Sequence, residues 1–146
     1  MSNFVPFTSD DEIVSLGNRV LARTLPKPEW THAAHFSTAI WILVCRPDLD
    51  ASRAMPGIIR AYNEATGTAN TDTSGYHETI TQASLRAARA FIAARQACPL
   101  FQLCNELMAS ALAKSDWPLV YWSRERLFSV EARRSWVEPD LQPLPF

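Results

Sequence analysis

The stretch Pro28–Cys45, PEWTHAAHFSTAIWILVC, decides the fold. Proline suits the first position of a helix, because its φ is preset and its missing N–H is an orphan there anyway. Pro47 stops the run at the other end. Between them Trp30, Ala33, Ala34, Phe36, Ile40, Trp41, Leu43 and Val44 are apolar nearly all round a helical wheel. A helix with no polar face is a buried one. Its apolar stretch, Phe36–Cys45, is about ten residues, too short to span a bilayer. The stretch therefore predicts the central helix of an α-helical core.

Outward from it, helical spacing dominates and strict alternation is nearly absent. Towards the N-terminus, Ile13, Leu16, Val20 and Leu21 fall on one face of a helix over about Asp10–Arg23, with Ser9 and Glu12 as a capping box. Towards the C-terminus, a third helix is expected over Ala51–Ala65, capped by Asp50 or Asp48 and stopped at Gly67. Pro56 inside it should kink it or delay its start. Thr68–Ser74 reads as a polar loop. A fourth helix is expected over about Tyr76–Ala97, a fifth over about Leu100–Lys114, and a last, broken at Ser129, over about Arg124–Val137. Ser115–Ser123, with Asp116-Trp117-Pro118, reads as a loop. The expectation is an all-α single domain over residues 1–146, a bundle of five or six helices with extended proline-bearing arms at both ends.

The 146 residues suit one domain, whose folded surface should be roughly 7,500 Å². With 14 basic and 15 acidic residues the net charge is −1, which gives no general field for nucleic acid or an anionic membrane. The first residues, MSNFVPFTSDDE, lack a signal-peptide pattern, so the expected compartment is cytoplasmic. Three cysteines, Cys45, Cys98 and Cys104, with no C-x-x-C, predict reduced and buried thiols. Trp30 and Trp41 read as core; Trp117, Trp122 and Trp136 read as one cluster under the C-terminal arm.

The chemistry concentrates in the histidines. His32 and His35 lie in Trp30-Thr31-His32-Ala33-Ala34-His35, and His77 lies in Tyr76-His77-Glu78-Thr79. Residues three apart on a helix share a face, about 5–6 Å apart between Cβ atoms, so two imidazoles there can bind one ion. If helices two, three and four run up, down and up, His77 returns to the end that holds His32 and His35. That predicts a three-histidine centre for a divalent metal, Zn, Ni or Fe, with an open position for water or substrate. The ion would act as Lewis acid or generate hydroxide, in hydrolysis or else in non-haem iron chemistry. Glu78, Glu29 and Tyr76 are the nearest acid–base candidates. In Tyr121-Trp122-Ser123-Arg124-Glu125-Arg126, the residues Arg124, Arg126 and Tyr121 could clamp an anionic ligand over the site, while Ser123 could simply cap a helix. The competing reading is a non-enzymatic helical protein-interaction module, in which the histidines form a hydrogen-bonded polar core. Thr79 and Thr81 are expected to bond back within their own helix. A small-molecule ligand and a homo-oligomer stay open.

The three segments W-T-H-x-x-H, G-Y-H-E-T-x-T and Y-x-S-R-E-R-L-F-S resemble those of a family of small bacterial all-helical proteins that has no assigned activity. The resemblance covers about Leu25–Pro145 and implies the fold without implying a reaction. DinB-like bundles place one His before an H-x-x-x-H pair, the reverse of the order here. Ferritin-like di-iron bundles need two E-x-x-H motifs, and Glu29-x-x-His32 is one.

Overall fold

Two helices cross at a glycine in the middle of this protein. The computed structural model describes residues 4–146, and in it a Cβ on Gly17 would lie 2.2 Å from the Trp41 ring. Only a residue without a side chain lets α1, Asp10–Leu21, approach α2, His32–Cys45, this closely. The remaining helices are α3, Ala51–Ala65; α4, Glu78–Ala93; α5, Leu100–Leu107; α6, Arg124–Leu127; and α7, Val130–Arg134. No strand occurs among the described residues. The all-α architecture is as expected, and the accessible surface is 7,919 Å². Among the described residues no helix is long and apolar enough to cross a membrane.

α2 is the central helix. It packs on α1, α3, α4 and α5, and Ile40, Ile42 and Trp41 are at most 3% exposed. Burying each of these side chains contributes about 1.5–3 kcal/mol. Its last turn emerges: Val44 is 44% exposed and Cys45 is exposed. All three cysteines are free as expected, but only Cys104 is buried. Burial pushes its thiol up to about 12.

Local chemistry accounts for most helix ends. Asp50 caps α3 by accepting from Ser52 N. Ser123 and Ser129 cap α6 and α7, so the break at Ser129 is real. Pro56 does not delay α3. Its missing N–H leaves Ser52 O, four residues earlier, without a helical donor, and the Gln82 side-chain amide supplies one at 2.9 Å. The capping box at α1 is displaced by one residue. Ser9 makes no side-chain cap bond; Glu12 reaches Thr8, whose N–H and hydroxyl both donate to it.

Other ends differ from expectation. Pro28 starts a 3-10 turn, Lys27–Glu29, and α2 begins only after Thr31, whose hydroxyl accepts from Ala34 N. α4 is shorter at both ends, with His77 as its cap. α5 stops at Leu107, and two 3-10 turns, Ala111–Ala113 and Trp117–Val120, carry the chain to α6. Trp117, Trp122 and Trp136 do not form one cluster: Trp122 meets Trp136 edge-on at 5.6 Å, while Trp117 packs with Phe36, Tyr121 and Phe146.

The arms are fastened. Asn105 exchanges two 2.8 Å hydrogen bonds with the main chain of Phe7. The C-terminal arm donates Leu141 N to Tyr121 O, and Asp140 accepts from both the N–H and the hydroxyl of Ser123.

Candidate functional site

The start of α4 is closed by the C-terminal segment. His77, 8% exposed, accepts the Ile80 N–H on Nδ1 at 3.2 Å and donates from Nε2 to Leu127 O at 2.7 Å. Both ring nitrogens are therefore engaged, and the pattern requires the neutral ring. Burial pulls its pKa down, the Leu127 carbonyl opposes that, and nearby Arg133 adds to it. Thr79, fully buried, does not bond back within its helix. Its hydroxyl donates to Ala132 O at 2.7 Å, lies 2.9 Å from Ser135 O, and accepts the Val137 N–H. Arg133 donates to Gly75 O and Tyr76 O, and Arg134 pairs with Asp72 through both oxygens. Apart from the Ile80 cap, every one of these bonds spans fifty residues or more.

Tyr76 and Glu78 belong to the same region. The Tyr76 hydroxyl donates to Glu78 Oε1, which also accepts from Gln82 at 3.4 Å. Arg60 lies over the Tyr76 ring at 4.5 Å. Burial, then the bond to Glu78, raises the Tyr76 pKa. Glu29 sits elsewhere, exposed, in a 3.5 Å ion pair with Arg19.

The start of α2 is different. Thr31 caps the helix, which sets His32 and His35 on one face, three residues apart. His32 Nε2 donates to Leu112 O at 2.7 Å, and His35 Nδ1 donates to Thr31 O at 2.7 Å. Each ring keeps its other nitrogen, His32 Nδ1 and His35 Nε2, outside these bonds. The rings are held from behind as well: His35 stacks on Trp30 with centroids 3.7 Å apart, and His32 stands edge-on to Phe36 at 5.2 Å. Burial lowers the His35 pKa to about 4; the Thr31 carbonyl opposes this and His32 adds to it. His35 is neutral at pH 7.

Both rings line a cavity of about 330 Å³. Phe36, Met55, Ile59, Ile80 and Trp117 supply apolar wall, and Thr81, Ser84 and Ser115 supply hydroxyls. No Asp, Glu, Lys or Arg is on this wall. A second, larger cavity of about 910 Å³ lies between the N-terminal arm, α1 and the start of α2, and its wall includes Glu12, Arg19, Glu29 and His32.

The structure thus brings His32 and His35 together and turns His77 to Leu127. Among the described residues no three His, Cys, Asp or Glu side chains are grouped so as to hold a metal ion. Glu78, Glu29 and Tyr76 do not line the cavity of the two histidines. Arg124, Arg126 and Tyr121 do not line it either: Arg126 donates to Glu138 O at 2.6 Å, Arg124 lies near Phe128, and Tyr121 packs behind Trp117. Sequence reasoning missed Thr81, Ser84, Ser115 and Met55 as wall residues. A helical-face signal exists for Thr81 and Ser84, three apart on α4 like the histidines on α2; Ser115 has none.

No protein family, curated protein or solved structure matches the chain.

Proposed function

We propose that this is a small-molecule-binding protein whose site is the 330 Å³ cavity walled by α2, α3, α4 and the Ser115–Trp117 turn. One observation carries the reading. Two imidazoles reach the same cavity, each anchored through one nitrogen to a main-chain carbonyl and each with the other nitrogen unused. A mostly apolar cavity with a few convergent, fixed polar groups is the usual form of a ligand site.

A metal reading of the same pair has support of its own, since imidazoles three apart can share one ion. The donor set on this wall is two imidazole nitrogens without carboxylate or thiolate, fewer than the three or four ligands a resident Zn²⁺, Ni²⁺ or Fe²⁺ takes.

The test is thermal unfolding and NMR with a library of small fragments, and separately with the three metals on chelator-stripped protein. Binding should raise the melting temperature by mass action. Ser84→Leu, which fills the cavity, should abolish it with the fold retained. A metal-induced rise that His35→Phe removes, with no fragment bound, favours the metal centre. If neither fragments nor metals act, the histidines belong to a structural polar core and the interaction-module reading gains.

A further inference from the structure

We propose that the ligand of this cavity is an uncharged aromatic molecule with a hydroxyl or N–H donor, of the phenol or indole kind. Its donor is accepted by His35 Nε2 or His32 Nδ1, and its ring lies against Phe36, Met55 and Trp117. This rests on the reading of the cavity as a binding site, and three observations on its wall select the class.

The first is charge. No ionisable side chain other than the two histidines lines the cavity. A carboxylate, phosphate or ammonium entering it would leave water without gaining a counter-charge. A neutral ligand has no such penalty.

The second is the direction of the hydrogen bonds. A neutral imidazole has one donor and one acceptor nitrogen. His32 uses Nε2 to donate to Leu112 O, and His35 uses Nδ1 to donate to Thr31 O. In a neutral ring the remaining nitrogen is then the acceptor, and burial keeps His35 in that state at neutral pH. Thr81, Ser84 and Ser115 can donate or accept, so they do not decide the sign. The fixed groups ask for a donor.

The third is shape and surface. Phe36 and Trp117 stand 6.4 Å apart, tilted by 44°, and Met55 adds a polarisable thioether. Such walls favour a ring offered edge or face. The volume of about 330 Å³ is at the small end for ligand cavities, suited to one or two rings.

The experiment is an NMR titration of wild-type protein at pH 7.5 with phenol, indole, toluene, benzoate and benzylamine. Toluene matches phenol in size and lacks the donor. Phenol should bind about tenfold more tightly than toluene, although toluene is the more hydrophobic. Benzoate and benzylammonium should bind more weakly than phenol by at least about tenfold. Phenol, and not toluene, should shift the imidazole nitrogen resonance of His35 Nε2 or His32 Nδ1, a readout that needs no variant. Of His35→Phe and His32→Phe, made singly and checked by circular dichroism, the one that removes the accepting nitrogen should lower the phenol-to-toluene ratio while toluene affinity holds. Equal affinity for phenol and toluene in wild type overturns the donor requirement and leaves the cavity a binding site. Tighter binding of benzoate or benzylamine overturns the neutral class. If none of the five binds while other fragments do, the aromatic class is wrong; if no fragment binds at all, the cavity reading itself falls.

Discussion

The first turns of α2 and α4 are built from the same parts and end in opposite states. Each has a capping side chain, a threonine and at least one histidine. At α4 the C-terminal segment lies across the turn, and His77, Thr79 and Tyr76 all find partners within the chain. At α2 the crossing chain supplies a single carbonyl, Leu112 O, and half the imidazole nitrogens stay uncommitted beside a cavity. The lesson is that residue type does not separate a fastener from a site. What separates them is whether a third element covers the turn.

The comparison can be broken most directly at His77. His77→Ala removes a helix cap and leaves Leu127 O, in a buried setting, without its donor. The expected loss is about 3 kcal/mol, and a thermal melt should fall by about 10 °C. A fall of less than a third of that would mean the α4 turn is not the fastener described. Acid tests the other turn. His35 titrates at about 4 when folded and at 6.5 when unfolded, so the unfolded state binds more protons between those values. The contribution is fully present above pH 6.5, declines as pH falls towards 4, and amounts to about 2 kcal/mol lost by pH 5. Urea titrations at pH 7.5 and 5 should show it, and His35→Phe should remove that part of the slope; His77, also lowered, contributes to what remains. His77→Asn sharpens the contrast further. Its amide oxygen can cap Ile80 N but nothing reaches Leu127 O, so it should recover about 1 kcal/mol relative to alanine. The smallest effect belongs to His35→Phe at pH 7.5, where a ring still stacks on Trp30. Its stability should change by under about 1 kcal/mol, with binding to the cavity altered. A large destabilisation there would make His35 a structural residue like His77.

The fold was legible where its causes are local. The apolar run of α2, the caps at Asp50, Ser123 and Ser129, and the break at Ser129 follow from a few adjacent residues. The His32–His35 pair was legible for the same reason: three residues on a helix set a common face. The partners of His77 and Thr79 were not, because they lie 50 to 58 residues away. Helix order fixes which end of a bundle a residue reaches; it does not fix its rotation about the helix axis, and rotation turns His77 to Leu127. Gln82 was hidden in the same way, since the vacancy it fills at Ser52 O is created by Pro56 on another helix.

The reach of Thr79 has a kinetic consequence. One hydroxyl ties α4 to Ala132 and Val137, contacts that close loops of more than fifty residues. Closures of that length are entropically late events, gained after nearer helices have paired. Thr79 and His77 should therefore be poorly formed in the folding transition state, with φ-values near zero. Substitutions there would leave the refolding rate almost unchanged and speed unfolding by nearly their whole equilibrium cost. The C-terminal segment is then a latch that closes late and opens early, as is the Phe7–Asn105 fastening of the N-terminal arm, whose loop is 98 residues.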